Sequence, residues 1–183
     1  MSLGRSTLHS NFTREDDMKH FFGTKLVKAK PMTQEEFAQY MGTTTPTNMP
    51  DRSPPGYLVE YVNGGDSNHE NHDNYISWSP KAVFEDAYQP TTAMAFGHAV
   101  EALKRGMKVS RAGWNGKGMF LYMEEQTTSN AAMERHLGLK EHFSHGGVII
   151  KRAHIMMLTA QDDVVPWLAS QSDILADDWC IVE

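Results

Sequence analysis

Two short strings in the C-terminal half combine residue types that could do chemistry. One is Gly113-Trp114-Asn115-Gly116-Lys117-Gly118-Met119-Phe120. The other is Pro166-Trp167-Leu168-Ala169-Ser170-Gln171-Ser172-Asp173, followed after a short gap by Asp177-Asp178-Trp179. Each sets a large flat aromatic beside small residues and a few polar groups, which suits a pocket for a planar, polar ligand because an indole face can stack on a nucleobase. Three glycines around Trp114 would let backbone N–H groups and the Lys117 ammonium approach a phosphate. A helical turn opening at Ser170 or Ser172 would offer free N–H groups to an anion. Asp178 could pair with a backbone group or accept ribose hydroxyls. Neither string holds a nucleophile with its base, so the chemistry implied is holding rather than turnover, and no catalytic residue is expected.

The same residues have plain structural uses. Asn115-Gly116 between two strands is a strong signal for a type I′ hairpin turn. Trp114 and Trp167 could be core residues, and Ser170 or Ser172 could cap a turn with Asp173 adding favourable charge at its start. His69 with His72, and His142 with His145, are spaced three apart in loops and lack a third ligand pattern. They read as solvent-exposed histidines, and His154 as a core or edge histidine, so neither a metal nor a cofactor is expected. Cys180 is the lone cysteine. It excludes an internal disulfide and reads as a small buried hydrophobe.

Composition bounds the rest. The 183 residues suit one medium domain or two small ones, and 40% hydrophobic with 22% charged residues is a globular composition. The chain has no apolar run of roughly 18 residues and no apolar core of a secretory signal at its start, so neither a membrane span nor export is expected. Its first residues read as an expression scar, and the expected location is the cytoplasm. Net charge is −6, with 8 basic against 12 acidic residues before Pro90 and 9 against 11 from it onward. Without a basic face, DNA or RNA is a poor partner, whereas a small anionic ligand is not excluded.

The elements that must position the strings follow from local pattern. Residues 1–20 read as a mobile tail. A strand over 21–30 is closed by Pro31, and a short helix opens with Thr33 as N-cap and Glu36 in the capping-box position. A loop spans 42–56. Alternation over 57–62 predicts a half-buried strand with Tyr57, Val59 and Tyr61 on one face and Glu60 on the other. A second strand covers 75–78, and Ser79-Pro80 starts a helix with Val83, Phe84, Ala87 and Tyr88 on one stripe. Downstream, a helix over 94–105 presents Phe96, Ala99, Val100 and Leu103 and ends at Gly106. Strands are predicted over 107–111 and 118–124, a helix over 128–138, a loop over 140–147, one long strand over 148–159, and a last strand over 178–182. The fold class is α+β, mostly antiparallel sheet with a few helices, in two modules (21–90 and 91–183) joined near Pro90.

MAFGHAVEALKRGMKVSRAGWNGKGMFLYM and HIMMLTAQDDVVPWLASQSDILADDWCIV, which bound residues 94–182, resemble the phage-encoded Thoeris anti-defence family of the small sponge type. The resemblance implies a short α+β domain that assembles as homo-oligomers. It also implies binding of immune signalling nucleotides, cyclic ADP-ribose isomers and in some members cyclic oligonucleotides, without degrading them. Carried onto this chain, the implied pocket takes Phe96 or Val100, Trp114 and Asn115, Pro166 to Gln171 (Trp167 and Ser170 among them), Asp173 and Asp178. Trp114 would stack on the base, Asn115 and Ser170 would hydrogen-bond, and Asp178 would take ribose hydroxyls. Residues 56–88 are similar to a small phage and prophage module without a known function.

Two other functions remain open at the level of sequence. One is an enzyme acting on the same nucleotide through Asp162-Asp163, Asp177-Asp178 or the histidines. The other is a virion or regulatory module working through a protein partner. A dimer or tetramer is expected, because a domain of about 90 residues is small for enclosing a dinucleotide-sized ligand in a pocket of roughly 300–1,000 Å³. The methionine-rich strands 119–123 and 155–158 would supply apolar faces between copies.

Overall fold

The structure is a computed structural model and describes residues 21, 23–44, 53–114, 118–130 and 148–183. Upstream of Pro90, β1 (Val27–Pro31), α1 (Gln34–Tyr40), β2 (Gly56–Tyr61), β3 (Ile76–Pro80) and α2 (Lys81–Ala87) follow in the expected order. The strand expected over 21–30 is shorter and shifted. The three strands form an antiparallel sheet in the order β1-β2-β3. Thr33 caps α1 as its local sequence dictates: the Glu36 N–H donates to Thr33 Oγ1 and the Thr33 N–H donates to Glu36 Oε2 at 2.8 Å.

Three local expectations fail for nonlocal reasons. Glu60 is buried, its carboxylate accepting from Asn74 Nδ2 and from His72 Nδ1 at 3.1 Å each. These hydrogen bonds hold Glu60 below the usual carboxylate range, the one from His72 contributing most. Because the carboxylate can only accept, Nδ1 of His72 carries the proton, and in the neutral ring Nε2 accepts from Tyr40 Oη at 3.1 Å. His69 stacks on the same tyrosine at 4.2 Å between ring centroids. The two histidines are thus packing and pairing groups of this sheet rather than solvated loop residues. At α2, Ser79 still belongs to β3 and Pro80 stands at the N-cap without a side-chain cap. Val83 is exposed, and the helix holds the sheet through Phe84, stacked between Tyr57 and Tyr88.

Gly56 is fixed by close approach. A methyl there would overlap the Ser79 carbonyl and the Trp78 ring. Gly56→Ala is expected to lower stability by about 1–3 kcal/mol, read as a fall in the thermal midpoint.

Downstream come α3 (Phe96–Lys104), β4 (Lys108–Arg111), β5 (Phe120–Glu124), β6 (Thr127–Asn130), β7 (Val148–Lys151), β8 (His154–Leu158), β9 (Val164–Pro166), α4 (Gln171–Ile174) and β10 (Trp179–Val182). Five strands form one antiparallel sheet, β10-β4-β5-β8-β9, and β6 pairs β7 separately. The fold class is α+β with sheet dominant. α3 ends at Lys104 with Arg105 as its C-cap, and Gly106 follows at φ 78, the left-handed stop that its position predicts. Its buried residues are Ala99, Ala102 and Leu103. They pack with Met94, Val109, Leu121, Ala176 and Trp179 as the core.

The helix expected over 128–138 is absent where it is described. Thr127 to Asn130 pair instead with Val148 to Lys151. Thr-Thr-Ser-Asn has weak helix propensity, and its β-branched partners Val148, Ile149 and Ile150 favour extended backbone. The long strand expected over 148–159 is two strands interrupted at Arg152-Ala153. The interruption keeps register, since Thr127 faces Lys151 before it and Glu124 faces His154 after it. Arg152 bridges the gap through a 2.9 Å hydrogen bond to Gln126 Oε1. His154 is an exposed residue at the start of β8, with Nδ1 2.8 Å from the Arg152 carbonyl. The tail 1–20, part of the loop 42–56, the Asn115-Gly116 turn, residues 131–147 and the pair His142 and His145 lie outside the described residues.

Candidate functional site

Trp179 organises the downstream half. It opens β10, pairs with Arg111 of β4, and is fully buried. Three aromatics from three separate segments meet it: Phe96 from the first turn of α3 at 5.5 Å between centroids, Trp114 just after β4 at 5.6 Å, and Trp167 just after β9 at 6.0 Å. Both indoles stand edge-on to Trp179, at 76° and 84°. That arrangement matches the ring quadrupole and leaves Trp114 and Trp167 only partly buried. The two strings singled out in the sequence therefore come together, joined through the third tryptophan.

Beside this cluster lies a charged hub whose cation, Arg111, sequence reasoning missed. Arg111, the last residue of β4, donates through Nε to Asp178 Oδ1 at 2.7 Å and through Nη1 to Asp173 Oδ1 at 3.0 Å and the Ser172 carbonyl at 3.2 Å. Its guanidinium carbon lies 6.0 Å from the Trp179 ring centroid. Asp178 uses its other oxygen to accept the Gly113 N–H at 2.9 Å, fixing the chain where it enters the Trp114 turn. The hydrogen bond from Arg111 holds Asp178 below its ordinary pKa, and the same pairing raises Arg111. Burial pushes Asp173 up, but bonds from Ser170 and Arg111 outweigh it and leave it lowered. The signal for Arg111 was its place immediately before Ala112-Gly113-Trp114, opposite a segment carrying three aspartates.

Ser170 is the N-cap of α4 in a capping box with Asp173, accepting the Asp173 N–H while its hydroxyl donates to Asp173 Oδ2 at 2.6 Å. Gln171 and Pro166 are exposed, as is Leu168 at 91%. Val100 is half-buried and outside the core cluster. Asn115 and Lys117 lie outside the described residues. Ser170, Asp173 and Asp178 thus hold the frame beside which Trp114 and Trp167 stand partly exposed. Cys180 is partly buried, its Sγ 3.3 Å from Ser110 Oγ. Among the described residues, no three His, Cys, Asp or Glu side chains are grouped to hold a metal ion, and no helix is long and apolar enough to cross a membrane.

The segment carrying this frame also matches a known family. The Tad2-like model, described as the Thoeris anti-defense 2-like domain, covers residues 94–182. Thoeris anti-defense 2 of Bacillus phage SP01 is 39% identical over 94 residues, which is 50% of this chain and 97% of that protein. The chain belongs to the Thoeris anti-defense 2-like family. Phe96, Trp114, Trp167, Trp179 and Arg111 all fall within the matched Thoeris anti-defense 2-like segment, whereas the β1-β2-β3 sheet lies wholly before it.

Proposed function

We propose that this chain is a phage or prophage anti-defence protein that binds and sequesters a cyclic nucleotide immune signal without degrading it. The signal belongs to the cyclic ADP-ribose isomers or the cyclic oligonucleotides. The observation that carries the reading is the convergence of Trp114 and Trp167 on Trp179, inside the segment that matches an anti-defence family. Two partly exposed indoles on a rigid aromatic base provide stacking surfaces already in place, which lowers the ordering cost of binding. The state of the nearby carboxylates favours holding over catalysis. Asp173 and Asp178 are tied to Arg111 and lowered, whereas a general base working at neutral pH needs a raised value.

The surface around the aromatics supports the further reading that sites are shared between copies of the chain. Val164 and Val165 of the edge strand β9, Leu168, and Ile174 and Leu175 at α4 are exposed. Edge strands with apolar side chains invite pairing. The methionine-rich strands contribute less freely than their composition suggests, because Met123, Ile155 and Met157 pack on this chain's own core. The alternate positions Phe120, Tyr122, Met156 and Leu158 are half-buried on the other face.

Calorimetry of the full chain against cyclic ADP-ribose isomers and cyclic di- and trinucleotides tests the reading. Tight binding is expected, with Kd near 10 nM corresponding to roughly −11 kcal/mol. No heat with any of them at micromolar protein would overturn it. Trp114→Ala is expected to cost about 1–3 kcal/mol of that binding, the range for aromatic–base stacking, with the fold retained. An unfolded variant would instead assign Trp114 to the core alone.

A further inference from the structure

A cleft of about 270 Å³ lies away from the tryptophans, between the residues leading into β1, the end of α2 and the outward face of α3. Its floor is apolar, from Met94, Ala102, Met107 and Ile181. Its walls carry the phenols of Tyr61 and Tyr88, and burial raises Tyr88 so that it stays a neutral donor. Its rim carries Lys25 and Arg105. The Lys25 ammonium sits 5.1 Å from the Tyr61 ring centroid, and Arg105 Nη2 makes a long 3.4 Å bond to the Thr24 carbonyl. Among the described residues neither cation has a carboxylate within ion-pair distance. Glu101, which also lines the cleft, is engaged by Lys104 at 2.7 Å. Both cations are exposed at the rim over this apolar floor, and Lys104, together with Arg105, helps to hold the Glu101 carboxylate below its ordinary range. His98, on the same wall, buries an Nδ1 that has no hydrogen-bond partner among the described residues.

We propose that this cleft is a second binding site, for a small aromatic acid. Its volume falls just under the roughly 300–1,000 Å³ of pockets for drug-sized ligands. Its size suits a single or fused ring, and none of the four aromatics gathered at Trp179 lines it, so the site is distinct from the one proposed for the immune signal. The flat body lies on the methionine and isoleucine floor between the two tyrosines, and the carboxylate reaches Arg105 and Lys25. Nine of the sixteen lining residues, including Lys25, Tyr61 and Tyr88, precede the family segment. The site therefore depends on the upstream sheet and is a property of this two-part chain.

The test is calorimetric titration of the full chain with indole-3-carboxylate and with its neutral isostere indole-3-carboxamide. The carboxylate is expected to saturate, and the carboxamide to bind at least about tenfold more weakly. Arg105→Ala and Lys25→Ala, both at exposed positions, are each expected to weaken the carboxylate by about tenfold with unchanged thermal midpoints. Lys81→Ala, at a residue that pairs with Glu85 and like it lies outside the cleft lining, should leave binding unaltered. Equal binding of the carboxamide, insensitivity to both rim substitutions, or no saturation in the millimolar range would each overturn the proposal. Because Trp114→Ala affects only the immune-signal site, failure of one site is distinguishable from failure of the other.

Discussion

Trp179→Ala is expected to collapse the downstream half of the protein. Truncating a fully buried tryptophan costs about 3–5 kcal/mol, and here the loss is compounded. The indole Nε1–H donates to the Asp173 carbonyl at 3.0 Å, and Phe96, Trp114 and Trp167 all rest on the ring. Against a typical total of about 5–15 kcal/mol, the variant should melt at a much lower temperature or bind hydrophobic dye as an expanded state. Trp179→Phe should recover part of the loss, since a ring remains under Trp114 and Trp167. A variant Trp179→Ala with an unchanged midpoint would mean that these rings do not depend on one another.

Arg111→Ala is the second large expectation. The guanidinium side chain is 19% exposed and its partners Asp173 and Asp178 are 14% and 35% exposed, between a surface pair and a buried one. Removing it should cost about 2 kcal/mol, below the 3–5 kcal/mol of a fully buried pair. It would also release the Gly113 turn, so signal binding should weaken along with stability. The pH dependence has a definite sign. Both carboxylates are lowered in the folded state, so their contribution is present above the unfolded value near 3.9 and is lost as pH falls through their folded values below it. The gap in thermal midpoint between the parent and Arg111→Ala should be constant from about pH 8 to pH 5 and should close below about pH 4. A gap that instead persisted undiminished below about pH 4 would show that Arg111 stabilises through packing.

What could be read from sequence was what local chemistry decides. The Thr33 cap needed only the residue three positions on, the cap of α4 was narrowed to Ser170 or Ser172, and α3 showed its period and its Gly106 stop within one window. The two tryptophan strings were visible by composition. What stayed hidden depends on distant partners. Glu60 looked like a solvent-facing residue of an alternating strand because its partners, His72 and Asn74, lie across a turn. β6 has no alternation of its own and is made a strand by residues 148–151. Arg111 gained its place only when the fold brought it to Asp173 and Asp178, 62 and 67 residues away. The cleft under α3 is likewise assembled from segments far apart in sequence, with lining from Gly23 to Ile181.

The central claim is sequestration, and recovery of the ligand tests it most directly. The full chain is incubated with the cyclic nucleotide that calorimetry identifies, freed of unbound ligand, and heat-denatured, and the supernatant is analysed by mass. Stoichiometric release of the unaltered cyclic nucleotide is the expected result. Recovery of a linear or otherwise modified product, in amounts that grow with incubation time, would contradict it and make the protein an enzyme.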